Sequence, residues 1–141
     1  MINKVRNVHM FQAAVGANSG TAFFKSGPAN HTGVGRIDAD GDIEVKVVSF
    51  ANEPSLYELI GSRKVVVKID VEGAEAEVVK GLSALLASGQ VEVVVLEVDQ
   101  DNLLQFRSSI NDIYETMRVA GFSGKIGRSS AVHYNEIFSA Q

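Results

Sequence analysis

The run Val65-Val66-Val67-Lys68-Ile69 stops abruptly at acid, in Asp70-Val71-Glu72-Gly73-Ala74-Glu75. β-Branched side chains suit a pleated surface, and an apolar run without alternation fits a strand covered on both faces, as parallel-sheet strands are. Gly73 allows a tight turn, and Val78, Val79, Leu82, Leu85 and Leu86 then recur at helical spacing from about Ala74 to about Ser88. The reading is strand, acidic turn, helix. Carboxylates at the carboxyl end of such a strand can serve as acid, base, metal ligand or hydroxyl acceptor. Acids in a first helical turn are also favoured by the helix dipole, so Glu72 and Glu75 have a purely stabilising reading as well.

A second apolar strand follows in Val91-Glu92-Val93-Val94-Val95-Leu96-Glu97-Val98, again ending in acids, Glu97, Asp99 and Asp101. Two parallel strands joined by a helix form a right-handed βαβ unit whose strand ends share one sheet edge. Asp70, Glu72 and Glu97 should therefore lie near one another. Gly81, inside the connecting helix, costs about 1 kcal/mol relative to alanine and so marks a close packing contact against the sheet. A further helix is expected from about Ser109 to about Ala120 on Ile110, Ile113 and Met117, stopped by Gly121.

The first half of the chain is more broken. Val8 to Val15 reads as an early buried strand, Gly16 to Gly20 as a turn, and Thr21 to Lys25 as a short strand placing Phe23 and Phe24 in the core. Ser26 to Gly35 is a loop by composition. It carries His31, whose imidazole titrates near neutrality and could meet substrate or shuttle a proton, or could simply be solvated. Asp38 to Asp42 resembles a calcium-loop fragment without its glutamate and reads as a hairpin turn. Ile43-Glu44-Val45-Lys46-Val47 alternates, with Glu44 and Lys46 facing water. A helix with Leu56, Leu59 and Ile60 follows, with Asn52 as a possible cap and Gly61 as its end. Ala131-Val132 and Ile137-Phe138 are short apolar pairs near the end of the chain.

The 141 residues suit a single domain, 1–141, with a real core. A hydrophobic fraction of 45% with 21% charged residues excludes disorder and collagen-like or coiled-coil classes. The formal net charge of −4, with basic residues scattered, argues against a nucleic-acid partner. Absence of cysteine excludes disulfides, thiolate nucleophiles and cysteine-ligated zinc. His9, His31 and His133 show no metal-ligand spacing, so no metal site is assigned. No stretch approaches a signal peptide or membrane span, and the expectation is a cytoplasmic protein with no membrane partner.

Lys68-Ile69-Asp70-Val71-Glu72-Gly73-Ala74-Glu75, with Val79-Lys80-Gly81 and Val94-Val95-Leu96-Glu97, resembles the signature of FkbM-type S-adenosylmethionine-dependent methyltransferases. Asn7-Val8 through Ala13-Ala14-Val15-Gly16, with Gly20, resembles that family's preceding strand and turn. That family normally opens with a glycine-rich loop and a ribose-holding acid. Ala14 to Gly20 looks superficially like that loop, but it has alanine at the acid position and lies too close to Lys68, so it reads as the later turn. The chain thus resembles the C-terminal two-thirds of the family's domain. The resemblance implies an α/β fold with a partial Rossmann-like methyltransferase sheet, mostly parallel, with helices on both faces and an antiparallel C-terminal pair.

It further implies S-adenosylmethionine as cofactor and a small-molecule acceptor, sugar-like or otherwise hydroxyl-bearing, that is O-methylated. Asp70 would be base or substrate holder and Glu72 would orient the substrate or the turn. Gly73 would permit close approach of backbone and ligand, and Glu75, Glu97 and His31 would line the substrate or cofactor pocket. A different reading is a catalytically inactive truncated domain that pairs through an exposed sheet edge, as a homodimer or with a complementing N-terminal chain. A third is a metal-dependent hydrolase using Asp70, Glu72 and Glu97.

Overall fold

A computed structural model describes residues 6–30, 35–124 and 131–141. His31 lies outside the described residues. The strand expected at Val65 is β5 (Val65–Ile69), and it pairs in parallel with β6 (Val91–Asp99), Ile69 standing opposite Leu96. On its other side β6 pairs antiparallel with β8 (His133–Ala140), which pairs antiparallel with β7 (Phe122–Gly124). The resulting order is β5-β6-β8-β7. A second sheet, ordered β1-β4-β2-β3, is formed by β1 (Ala14–Val15), β2 (Gly20–Lys25), β3 (Arg36–Ile37) and β4 (Ile43–Val48). In it β1 runs parallel to β4, while β2 pairs antiparallel with both β3 and β4.

The sheets are therefore mixed and largely antiparallel, not mostly parallel as expected. Parallel neighbours need a long connection, which the helical crossover supplies between β5 and β6 and the excursion through β2 and β3 supplies between β1 and β4; the other four described pairs are antiparallel. The antiparallel C-terminal pair does form, although Ala131 and Val132 precede β8 and do not belong to it.

Four further expectations change. The early strand shrinks to Ala14–Val15, and Val8, Met10 and Phe11 are exposed, because no described strand lies beside them. Phe23 is 51% exposed, so it leaves the core, whereas Phe24 is half-buried. The helix after Gly73 is divided at Leu82 into α2 (Glu75–Gly81) and α3 (Ser83–Leu86). Preceding β5, α1 (Pro54–Ile60) ends at Gly61 as expected, but Glu53, not Asn52, occupies its N-cap position, without a side-chain cap bond.

β5 itself is covered less than its run of valines implied: Val66 is 66% exposed, because the face that it shares with Lys68 is left open while Val65, Val67 and Ile69 face the core. The central strand is β6, where Val91, Val94, Leu96 and Val98 are buried against Phe138 of β8. Ile113 and Met117 of α5 (Ile110–Val119) and Val79 of α2 close the same core. Each such side chain contributes about 1.5–3 kcal/mol by leaving water. Ser109 and Asp112 cap α5 reciprocally, which fixes where that helix starts.

Gly81 meets the close contact its position in a helix implied. A Cβ there would stand 2.3 Å from the carbonyl oxygen of Gly16, so the end of α2 rests directly on the turn after β1. Helix propensity alone favours Gly81→Ala by about 1 kcal/mol, but the obstruction is backbone and cannot swing aside. The expected outcome is a net loss of about 1–3 kcal/mol in urea unfolding. A gain in stability would contradict this packing.

Candidate functional site

The parallel register of β5 and β6 carries their acids to one edge. Asp70, Glu72, Glu75, Glu97 and Asp99 line one small cleft there with Val71 and His133. Asp70, just past the end of β5, pairs with Lys68 two residues back. The hydrogen bond from the Lys68 ammonium holds the Asp70 carboxyl below the usual carboxylate range and raises Lys68 in return. Both side chains are more than half exposed, so the pair contributes little stability.

His133 opens β8 and stands opposite Asp99 in the antiparallel ladder. Its Nε2 lies 2.6 Å from Glu97 Oε1. That hydrogen bond raises the imidazole pKa, with the charges of Glu97, Asp99 and Glu72 acting in the same direction.

A short helix, α4 (Gln100–Gln105), starts directly from β6 because Asp99 Oδ1 accepts from the backbone N–H groups of Asp101 and Asn102, at 3.0 and 3.1 Å. This first turn aims the Asn102 amide at the cleft, where Nδ2 donates to Glu72 Oε2 at 2.9 Å. Glu72 is thereby fixed.

Beneath the rim lies Glu75, fully buried at 0% exposure. Its Oε1 accepts from the Gly73 N–H at 3.1 Å, while Oε2 has no hydrogen-bond partner among the described residues. The fold's other fully buried acid, Glu136, is held on both oxygens, by the Tyr114 hydroxyl and the Ile137 N–H. Burial pushes the Glu75 carboxyl up to about 7, the bonds from the backbone N–H groups of Glu75 and Gly73 opposing it and the charges of Glu72 and Asp99 adding to it.

Gly73 adopts φ 95°, and a Cβ there would stand 2.7 Å from the Asn102 carbonyl oxygen and the Phe106 ring. Its close approach is thus to α4, not to the cleft. The structure brings Asp70, Glu72, Glu75 and Glu97 together. Sequence reasoning passed over His133, Asn102 and the capping role of Asp99. The cap was readable, since an aspartate two residues before another acid is a helix-start signal. The pairing of His133 with Glu97 depends on β6–β8 register and left no local trace.

Among the described residues no three carboxylate or imidazole groups converge as a metal-ligand set, and no helix is long and apolar enough to cross a membrane. The cleft encloses about 20 Å³, against the several hundred that bury a ligand of cofactor size. That cleft does not by itself enclose S-adenosylmethionine.

The raised pKa of Glu75 gives folding a pH dependence. Protons bind the folded state more tightly than the unfolded, so its contribution is fully present below about pH 4.5 and is lost as pH rises through about 7. Unfolding titrations of Glu75→Gln are expected to lose this falling limb. An unchanged limb would place it on another group.

The model of the family described as Methyltransferase FkbM domain matches residues 3–123. No curated protein and no solved structure matches the chain significantly.

Proposed function

Since the chain belongs to the FkbM methyltransferase family, we propose that the acid edge of β5 and β6 holds the acceptor of a methyl transfer to a hydroxyl oxygen. The family implies S-adenosylmethionine as donor, and the proposal concerns the acceptor side alone. The observation that carries it is the convergence of Asp70, Glu72, Glu97 and His133 on one cleft at the carboxyl ends of parallel strands.

In this reading Asp70, kept ionised by Lys68, accepts a hydrogen bond from the acceptor hydroxyl and positions it. A carboxylate of lowered pKa is a weak base, so the proton goes elsewhere. His133 is the group suited to take it. With Nε2–H donated to Glu97, the neutral ring presents Nδ1 as an acceptor. Glu72, fixed by Asn102, bounds the site on the other side.

Incubating the chain with labelled S-adenosylmethionine and a panel of small polyols and sugars tests the reading. Transfer is expected, and Asp70→Asn is expected to lower kcat by about 10²–10⁴-fold while leaving S-adenosylhomocysteine binding unchanged. Full activity in that variant would remove Asp70 from the chemistry.

The rate should also depend on His133. Because its pKa is raised from 6.5, the neutral form gains population only above that value. Transfer is therefore expected to climb with pH through a midpoint above 6.5, and His133→Asn to abolish the climb. A rate that falls over that range would contradict the assignment.

A second reading is favoured by the open edge of β5 and the exposure of Val66. The domain would pair through that edge with another chain, as a dimer or with a complementing segment, and would catalyse nothing alone. A monomer in solution that binds S-adenosylhomocysteine saturably in calorimetry would sink it.

A further inference from the structure

The cleft is acidic and also incomplete. Each carboxylate at its rim already has a partner: Asp70 has Lys68, Glu72 has Asn102, Glu97 has His133, and Asp99 has the backbone of α4. At its base, Glu75 is wholly shielded from solvent and still has an oxygen that accepts nothing among the described residues. A buried carboxylate oxygen without a donor is costly, and natural structures seldom leave one unless a ligand or water supplies the donor.

The size of the space narrows what that donor can be. About 20 Å³ admits one group the size of a water molecule, not a sugar ring. Its walls narrow it further. They offer carboxylate acceptors almost exclusively, and the Lys68 ammonium and the His133 imidazole are each committed to a neighbouring acid. An anionic group would meet like charge on every side, whereas a group with several N–H donors and a positive charge matches both the vacant acceptor and the field.

We propose that the cleft between the ends of β5 and β6 is an ammonium subsite, which takes the primary amine of a hydroxyl-bearing acceptor such as an amino alcohol or amino sugar. This rests on the methyl-transfer reading for the word acceptor. The subsite itself rests on Glu75 and the rim. Phosphorylated or carboxylated acceptors are disfavoured by the same charges.

Three two-carbon probes isolate the effect: ethanolamine, ethylene glycol and glycolate share a hydroxyl and differ in bearing an ammonium, a second hydroxyl or a carboxylate. Chemical-shift titration of the labelled chain is expected to show ethanolamine binding about tenfold or more tightly than ethylene glycol, with glycolate weakest. The shifts should centre on Glu75, Glu72 and Glu97. Glu75→Gln, which keeps the size and the acceptor for Gly73, is expected to remove the preference, and Glu72→Gln to reduce it. Binding should strengthen as pH rises through about 7, where Glu75 ionises, and loss of the His133 charge, which comes above 6.5, acts in the same direction; Asp70, Glu72, Glu97 and Asp99 face the same space.

Equal binding of ethanolamine and ethylene glycol, or a preference that survives Glu75→Gln, would overturn the proposal. Tighter binding of magnesium than of ethanolamine at the same residues would overturn it in favour of a metal site. S-adenosylhomocysteine separates the remaining cases. If it displaces ethanolamine, the subsite belongs to the cofactor's own amino group and the acceptor assignment fails. If it does not bind while ethanolamine does, the ammonium site stands and the transfer reading falls.

Discussion

The parallel pairing of β5 with β6 is the constraint on which the candidate site depends. In a parallel pair the carboxyl ends of both strands reach the same edge, so a chain that ends each strand in acid concentrates negative charge there. The same register sets Ile69 beside Leu96 and buries both. Apolar burial thus supplies the free energy that holds Asp70, Glu72 and Glu97 near one another against their mutual repulsion. Lys68 and His133 offset part of that charge, and α4 offsets more through Asp99 and Asn102.

Two helix starts give the edge its geometry. Turning sharply at Gly73, the chain drops Glu75 behind the strand end, where α2 begins and the core closes over it. α4, nucleated by Asp99, then packs its Asn102 and Phe106 against that same glycine. Any side chain at position 73 would strike α4, so the turn after β5 and the helix after β6 are mutually dependent. Loss of either would release Glu72 and open Glu75 to water.

Much of this half of the molecule was legible beforehand because its signals are local. Val65 to Ile69, the acidic turn, Val91 to Val98 and the Ile110-Ile113-Met117 stripe each state their element through spacing, and the βαβ rule converts them into a shared acid edge. The first half was less legible. Alternation from Val8 to Val15 satisfied a strand template, but a strand also needs a neighbour, and pairing begins only at Ala14. Phe23 failed similarly, since composition says which side chains prefer burial and not whether a layer covers them. The mostly parallel sheet came from family resemblance, whereas four of the six strand pairs in the described chain are antiparallel. His133 was illegible in principle, since the pairing of β8 with β6 brings it to Glu97, 36 residues away in the chain.

The acid edge depends on a carboxyl group buried under its rim by the β5–β6 pairing. Carbon-13 titration of the glutamate side chains measures it directly. A Glu75 resonance with its midpoint near 7 is predicted. A midpoint near the ordinary 4.5 would mean that Glu75 is solvated and that no such cleft is built.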